Sequence, residues 1–242
     1  MGSISILQLS LAYLAVFLGA FVQGSIGFGM AMIAAPLLML IHTDFIPGPI
    51  LLASLLTSIM VSFRERQHSE IGKIKWMILG RIFGNLIGAG VIVYISVEKF
   101  TILFGILVII AVLLSASGLH IPISLKNMIF AGLLSGFMGT TVSIGGPPAA
   151  LLFQHEKGPQ FRATMANYFL IGVILSLLSL AAMGKFGFKE LFLGFCLLPG
   201  VFLGVYMSQH LTKKLDQQAI RPYVLGLSGI SGLLAIVKVL IF

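Results

Sequence analysis

Gln23-Gly24-Ser25-Ile26-Gly27-Phe28-Gly29 interrupts an apolar segment running from Ile6 to Ile41, and Pro36 follows it at the end of an apolar run. The reading of that interruption decides the fold. Glycine at every second or third position cannot hold a regular helix, because each costs roughly 1 kcal/mol relative to alanine in a helix interior. The flanks, Leu7 to Val22 and Met30 to Ile41, are almost wholly apolar. In a bilayer such a break survives only where protein or a wet cavity satisfies the freed N–H and C=O groups. The device recurs at an offset of 112, where Gly24, Gly27 and Pro36 map onto Gly136, Gly139 and Pro148. Between them the second copy reads Thr140-Thr141-Val142-Ser143-Ile144-Gly145-Gly146-Pro147. Broken segments at matching places in two halves point to a transporter's binding site.

Composition settles the solvent. The 242 residues are 58% hydrophobic and 9% charged, with a mean hydropathy of +1.10. Soluble domains carry about a quarter charged residues, so the chain is an integral membrane protein. The net charge of +8 resides in short inter-helical loops, which topology explains better than a nucleic-acid partner does. The one cysteine, Cys196, excludes an internal disulfide. The first basic residue is Arg64, so the first apolar run lacks the basic flank of a cleaved signal peptide and is read as structure.

Spanning runs fall at about 46–63, 74–95, 99–117, 161–183, 188–209 and 221–241, each near the roughly 20 residues a bilayer requires. Two broken segments, 6–41 and 127–153, complete the set. As one straight helix the first would be about 54 Å long, beyond a hydrocarbon core of about 30 Å, so it folds back or crosses twice. Charge decides the parity. If each broken segment is a single crossing, the loop Lys and Arg residues divide 7 against 6. If each returns to its starting side, Arg64, Arg66, Lys73, Lys75, Lys126, Lys157, Arg162, Lys213, Lys214 and Arg221 share one face against Lys99, Lys185 and Lys189. The positive-inside rule selects the second arrangement, in a cytoplasmic membrane with both termini outside the cytoplasm. Each half, 1–120 and 121–242, then holds one glycine-broken helix pair plus three full spans. The fold class is an all-α polytopic membrane protein of two inverted-topology repeats, the architecture of alternating access. Gly84 and Gly88, echoed at an offset of 116 by Gly200 and Gly204 with Ser208 beyond, read as close helix contacts.

The motif Gly-x-x-Gly-x-Gly at Gly24, Gly27 and Gly29, repeated as Gly136, Gly139 and then Gly145-Gly146-Pro147-Pro148, resembles the sulfite exporter TauE/SafE family. Arg162-Ala163-Thr164 is similar to that family's second-half signature. The resemblance covers essentially the whole chain. It implies a transporter of small anions such as sulfite, sulfoacetate or other organosulfur and carboxylic acids.

The residues themselves point to an anion too. All seven acidic residues fall in loops or at segment ends, so a cation in the membrane would lack a counter-charge. An anion can instead be held at helix N-termini, which carry about half a positive charge each. Met30 onward and Pro147 onward are the expected starts, with Gly24, Gly27, Gly29, Gly139, Gly145 and Gly146 admitting close approach. The side-chain donors are Gln23, Ser25, Thr140, Thr141 and Ser143, or else these only satisfy broken backbone. Asn85 and Asn167 are site residues or glue between helices. Arg81 reads first as a snorkelling side chain and second as the anion's complement. Arg162 and Gln154 sit at the cytoplasmic mouth of the second half and read as solvated loop residues or as a gate. No histidine spacing fits a metal and no nucleotide fingerprint is present, so neither metal nor cofactor is expected.

The reading is a secondary transporter, not an enzyme, with a small anion and the bilayer as partners and a homodimer as the assembly carried forward. Three rivals stand beside it. The same breaks could form an anion channel's filter. Cys196 could serve an intramembrane enzyme, although alone it makes a poor nucleophile. The chain could also act as an assembly factor or permease partner.

Overall fold

The computed structural model describes residues 4–119, 121–156 and 158–211, with isolated positions between 226 and 237. Most of the expected span 221–241, the cationic residues Lys157, Lys213, Lys214, Arg221 and Lys238, and both chain ends lie outside the described residues. Among those described, every regular element is a helix.

The first pair is α1 (Ile6–Ile26) and α2 (Met30–Ile41). Ser5 opens α1 with a capping box, its Oγ accepting from Gln8 N–H at 3.2 Å while Gln8 Oε1 accepts from Ser5 N–H at 2.9 Å. Gly27 ends α1 and Gly29 caps α2, with φ of 99° and 108°, a region open to glycine at no steric cost. The chain then reverses. Gln8 Nε2 at the start of α1 donates to Ile41 O at the end of α2, 3.3 Å away. Pro36 ends nothing: it lies inside α2, which continues to Ile41.

α3 (Gly48–Arg64), α4 (Lys75–Tyr94) and α5 (Val97–Ala116) follow. The second pair is α6 (Leu125–Val142) and α7 (Gly146–Phe153), and then come α8 (Gly158–Ala182) and α9 (Phe188–Leu211). α7 also turns back, since Gln154 Nε2 beyond its end donates to Leu119 O ahead of α6 at 2.7 Å. Among the described residues, five segments are long and apolar enough to cross a membrane: α1, Ile71–Tyr94, α5, α8 and α9; α2 and α3 are shorter and apolar.

The register between the two breaks differs from the offset of 112. α2 opens at Met30 and α7 at Gly146, an offset of 116. The residue standing where Gly27 stands is Ser143, also left-handed with φ 65°. Gly139 is one turn earlier, inside α6. The helix runs on through Thr140-Thr141-Val142 because buried threonines can bond back along it, as Thr141 Oγ1 does to Phe137 O at 2.7 Å.

Close packing joins elements that are distant in sequence. α4 lies on α6 through glycines, where a Cβ on Gly80 or Gly84 would run into the carbonyls of Ile129 or Leu133. On the other helix a Cβ on Gly136 would meet Arg81 O at 2.5 Å. α9 lies on α1 in the same way, with Gly200 and Gly204 against the carbonyls of Tyr13 and Phe17 at 3.0 and 2.5 Å from a built Cβ. Small residues permit such approach where lipid supplies no apolar drive. α3 packs between α8 and α9.

Both hairpins return to their starting level, so the loop cations sort by face. The face bearing Arg64 also carries the 66–75 loop and Arg162, through Asn167 Nδ2 to Ser69 Oγ (2.6 Å) and Lys73 Nζ to Glu156 Oε1 (3.3 Å). Lys189 lies on the opposite face, 2.7 Å from Asp44.

Candidate functional site

A cavity of about 30 Å³ lies where the two breaks approach, walled by Gln23, Gly29, Ser143, Gly145 and Gly146 together with Ser54, Ser58, Arg81, Phe169 and Val173. A water needs about 10–15 Å³ on this measure, so the space suits a solute of few heavy atoms. A Cβ on Gly146 would stand 3.3 Å from the Phe28 ring, which brings the breaks into contact.

Two helix N-termini open beside the cavity. Gly29 caps α2 and Gly145 caps α7, and neither cap residue supplies a side-chain hydrogen bond to its first turn. Buried helix ends without side-chain caps leave backbone donors for a ligand, although in α7 these reduce to the N–H groups of Gly145 and Gly146. Pro147 and Pro148 fill the first turn of α7, where a missing N–H costs least.

Arg81 departs from the snorkelling expectation. It is 1% exposed, and its guanidinium is held between α6 and α8. Nη1 donates to Ser135 Oγ at 3.3 Å, and Cζ lies 4.7 Å over the Tyr168 ring and 6.0 Å from that of Phe169. Nε has no hydrogen-bond partner among the described residues. Three glycines make the berth: a Cβ on Gly139 would sit 3.1 Å from Nη2, one on Gly172 would collide with Nε and Cζ, and Gly136 admits the backbone. Snorkelling fails because α4 is pressed against α6 on this side, leaving the stem no path along the helix. No carboxylate pairs with Arg81 among the described residues.

The remaining residues divide. Gln23 reaches the cavity, its Nε2 donating to Ser58 Oγ at 3.5 Å. Ser143 reaches it too, and donates from Oγ to Pro47 O at 3.3 Å. Ser25 turns back to Phe21 O at 2.8 Å. Thr140 Oγ1 donates to Ser176 Oγ at 3.0 Å and so joins α6 to α8, whereas Thr141 bonds back within α6. Asn85 joins helices as well: with its amide oriented so that both of its polar atoms are satisfied, the nitrogen faces Arg81 O, Gly136 O and Thr140 Oγ1 at 3.1 Å each and the oxygen accepts from Ser176 N–H at 3.0 Å. Asn167 sits on the Arg64 face, accepting from Ser62 Oγ at 2.5 Å. Gln154 fastens the second hairpin through its bond to Leu119 O. Gly24 and Gly27 are packing positions: Gly24 O accepts from Arg64 Nη2 at 2.6 Å, and a Cβ on Gly27 would be 3.1 Å from Arg162 Cα.

Two groups escaped sequence reasoning. Ser54 and Ser58, one turn apart in α3, supply cavity hydroxyls; polar residues at helical spacing in an apolar run were the available signal. Glu65, a loop acid by its place in the sequence, is 7% exposed and accepts from Arg162 Nε at 2.8 Å.

Apolar spans, paired helix breaks and a buried uncompensated cation beside two helix N-termini define a polytopic membrane protein of the transporter class. The family model described as sulfite exporter TauE/SafE matches residues 12–235, and the chain belongs to that family of membrane transporters, which are not enzymes. No curated protein and no solved structure matches it.

Proposed function

We propose that the chain carries sulfite or a small organosulfonate such as sulfoacetate, or a related short organic acid, across the cytoplasmic membrane by alternating access. The observation that carries this reading is Arg81, a buried guanidinium lining the cavity whose Nε has no hydrogen-bond partner among the described residues. A buried guanidinium lacking a carboxylate is costly, and an anion in the cavity supplies the missing charge. Charge-assisted bonds to oxyanions are strong and suit the planar guanidinium. The N-termini of α2 and α7 add favourable potential, and Gln23, Ser54, Ser58 and Ser143 provide neutral hydrogen bonds.

The Arg64 face is cytoplasmic in this reading, because it gathers the loop cations, and both termini lie opposite. The shared offset of 116 between helix starts and glycine ladders supports two inverted repeats, 1–120 and 121–242. Their packing partners are exchanged, α1 with α9 and α4 with α6. The bodies that move are therefore these crossed pairs, turning about α3 and α8, and not the sequence halves themselves.

The test is flux of sulfite and sulfoacetate into proteoliposomes holding the purified chain. Arg81→Gln is expected to reduce uptake by about a hundredfold, the scale of a lost hydrogen-bonded charge contact near 3 kcal/mol. Uptake at the wild-type rate would remove the site. Transport by the purified chain alone also answers whether a second protein is needed.

A further inference from the structure

A second cluster of charge lies beyond the Gln23–Ser58 wall of the cavity, towards the Arg64 face. Arg162 Nε and Arg64 Nε donate to the same oxygen, Glu65 Oε1, at 2.8 and 3.1 Å. His68 Nδ1 is 3.9 Å from the other oxygen. Arg162 and Glu65 are 9% and 7% exposed, so two arginines share one carboxylate largely out of water. Arg64 also holds Gly24 O and, at 3.2 Å, Ser208 Oγ. It thereby ties the last turn of α1 and the end of α9 to α3. Arg162 lies under the left-handed turn at Gly27, with Phe161 edge-on to Phe28 at 6.0 Å. The cluster therefore fastens α3, α8 and the α1–α9 pair together at one point.

We infer that this cluster is the gate on the Arg64 face, and that the transported anion opens it by taking the place of Glu65 between the two guanidiniums. Separating Arg162 from Glu65 with nothing in exchange strands buried charges, the costly case for ion pairs. An anion moving from Arg81 past Gln23 and Ser58 meets Arg64 and Arg162 next, and its charge substitutes for the carboxylate. The gate then opens readily only when loaded. The inference rests on the anion-transport reading and adds to it a control on access.

The experiment uses the full chain in sealed vesicles, with Cys196→Ser and one reporter, Ala31→Cys, in the cavity wall. Vesicles are sorted so that a separate Gln67→Cys variant reacts with an impermeant maleimide from the bath, which sets the Arg64 face outward. Sulfoacetate is the probe, and its binding to the purified protein is measured by calorimetry. Reporter alkylation is expected to be slow without sulfoacetate and about tenfold faster with it, a shift of the open population. Glu65→Gln is expected to be fast under both conditions while still binding the probe. The exchange Glu65→Arg with Arg162→Glu is expected to restore slow, probe-dependent labelling, which a merely unfolded gate would not do. Slow, probe-dependent labelling in Glu65→Gln overturns the gate, as does a reporter indifferent to a bound probe. Binding unaffected by Arg81→Gln, or no binding at all, overturns the anion site and the gate with it.

Discussion

Glycine positions around Arg81 set where the charge can sit. Gly172 lies against Nε and Cζ and Gly139 near Nη2, so each missing methyl is part of the berth. Gly172→Ala places a Cβ inside the guanidinium, and overpacking of this kind costs typically 1–3 kcal/mol. It should abolish most transport while the protein remains folded by circular dichroism, and sulfoacetate binding should weaken with it. Gly139→Leu should do the same by displacing Nη2. Gly27→Leu should fail for another reason, since φ of 99° disfavours a branched side chain and the Cβ meets Arg162. A flux assay showing wild-type rates in these variants would mean that the guanidinium is not positioned by its glycines.

Helix pairs are the next scale, and there the glycines act through distance. Gly84 meets Leu133 O, whereas nothing lies within 4 Å of a Cβ on Gly90 in the same helix. Gly84→Ala should therefore separate α4 from α6 and lower the melting temperature in detergent. Gly90→Ala should be neutral or raise stability by up to about 1 kcal/mol, the difference in helix propensity. Equal effects from both would make propensity, not packing, the controlling factor. The breaks work oppositely. They reverse the chain, leave two N-termini uncapped and direct them at one cavity, which continuous helices could not do.

Motion and orientation belong to the whole molecule. Ser62 Oγ and Asn167 Oδ1, 2.5 Å apart, bridge α3 to α8 on the Arg64 face. A disulfide between Ser62→Cys and Asn167→Cys, in the Cys196→Ser chain, should hold that face shut. Transport should stop on oxidation and return with a reductant; unchanged flux in fully cross-linked protein would argue against opening between α3 and α8. Topology has its own check. A cysteine at Gln67 should react with impermeant reagents only from the cytoplasm, and one at Lys185 only from outside.

Hydropathy and glycine spacing determined the membrane, the two breaks, the helix start at Met30 and the sorting of the described loop cations by face. These follow from local backbone chemistry and from charges that must remain in water, so they are written along the chain. The depth of Arg81, the burial of Glu65 and the sorting of Gln23 and Ser143 into the cavity from Ser25, Thr140 and Thr141 were decided only by tertiary structure. A helix carries side chains all around its axis, and only the neighbours packed against it determine which of them meet lipid, protein or solute. Arg81 is the clearest instance: its place depends on Gly136, Gly139 and Gly172, residues on two other helices that no local reading of α4 contains.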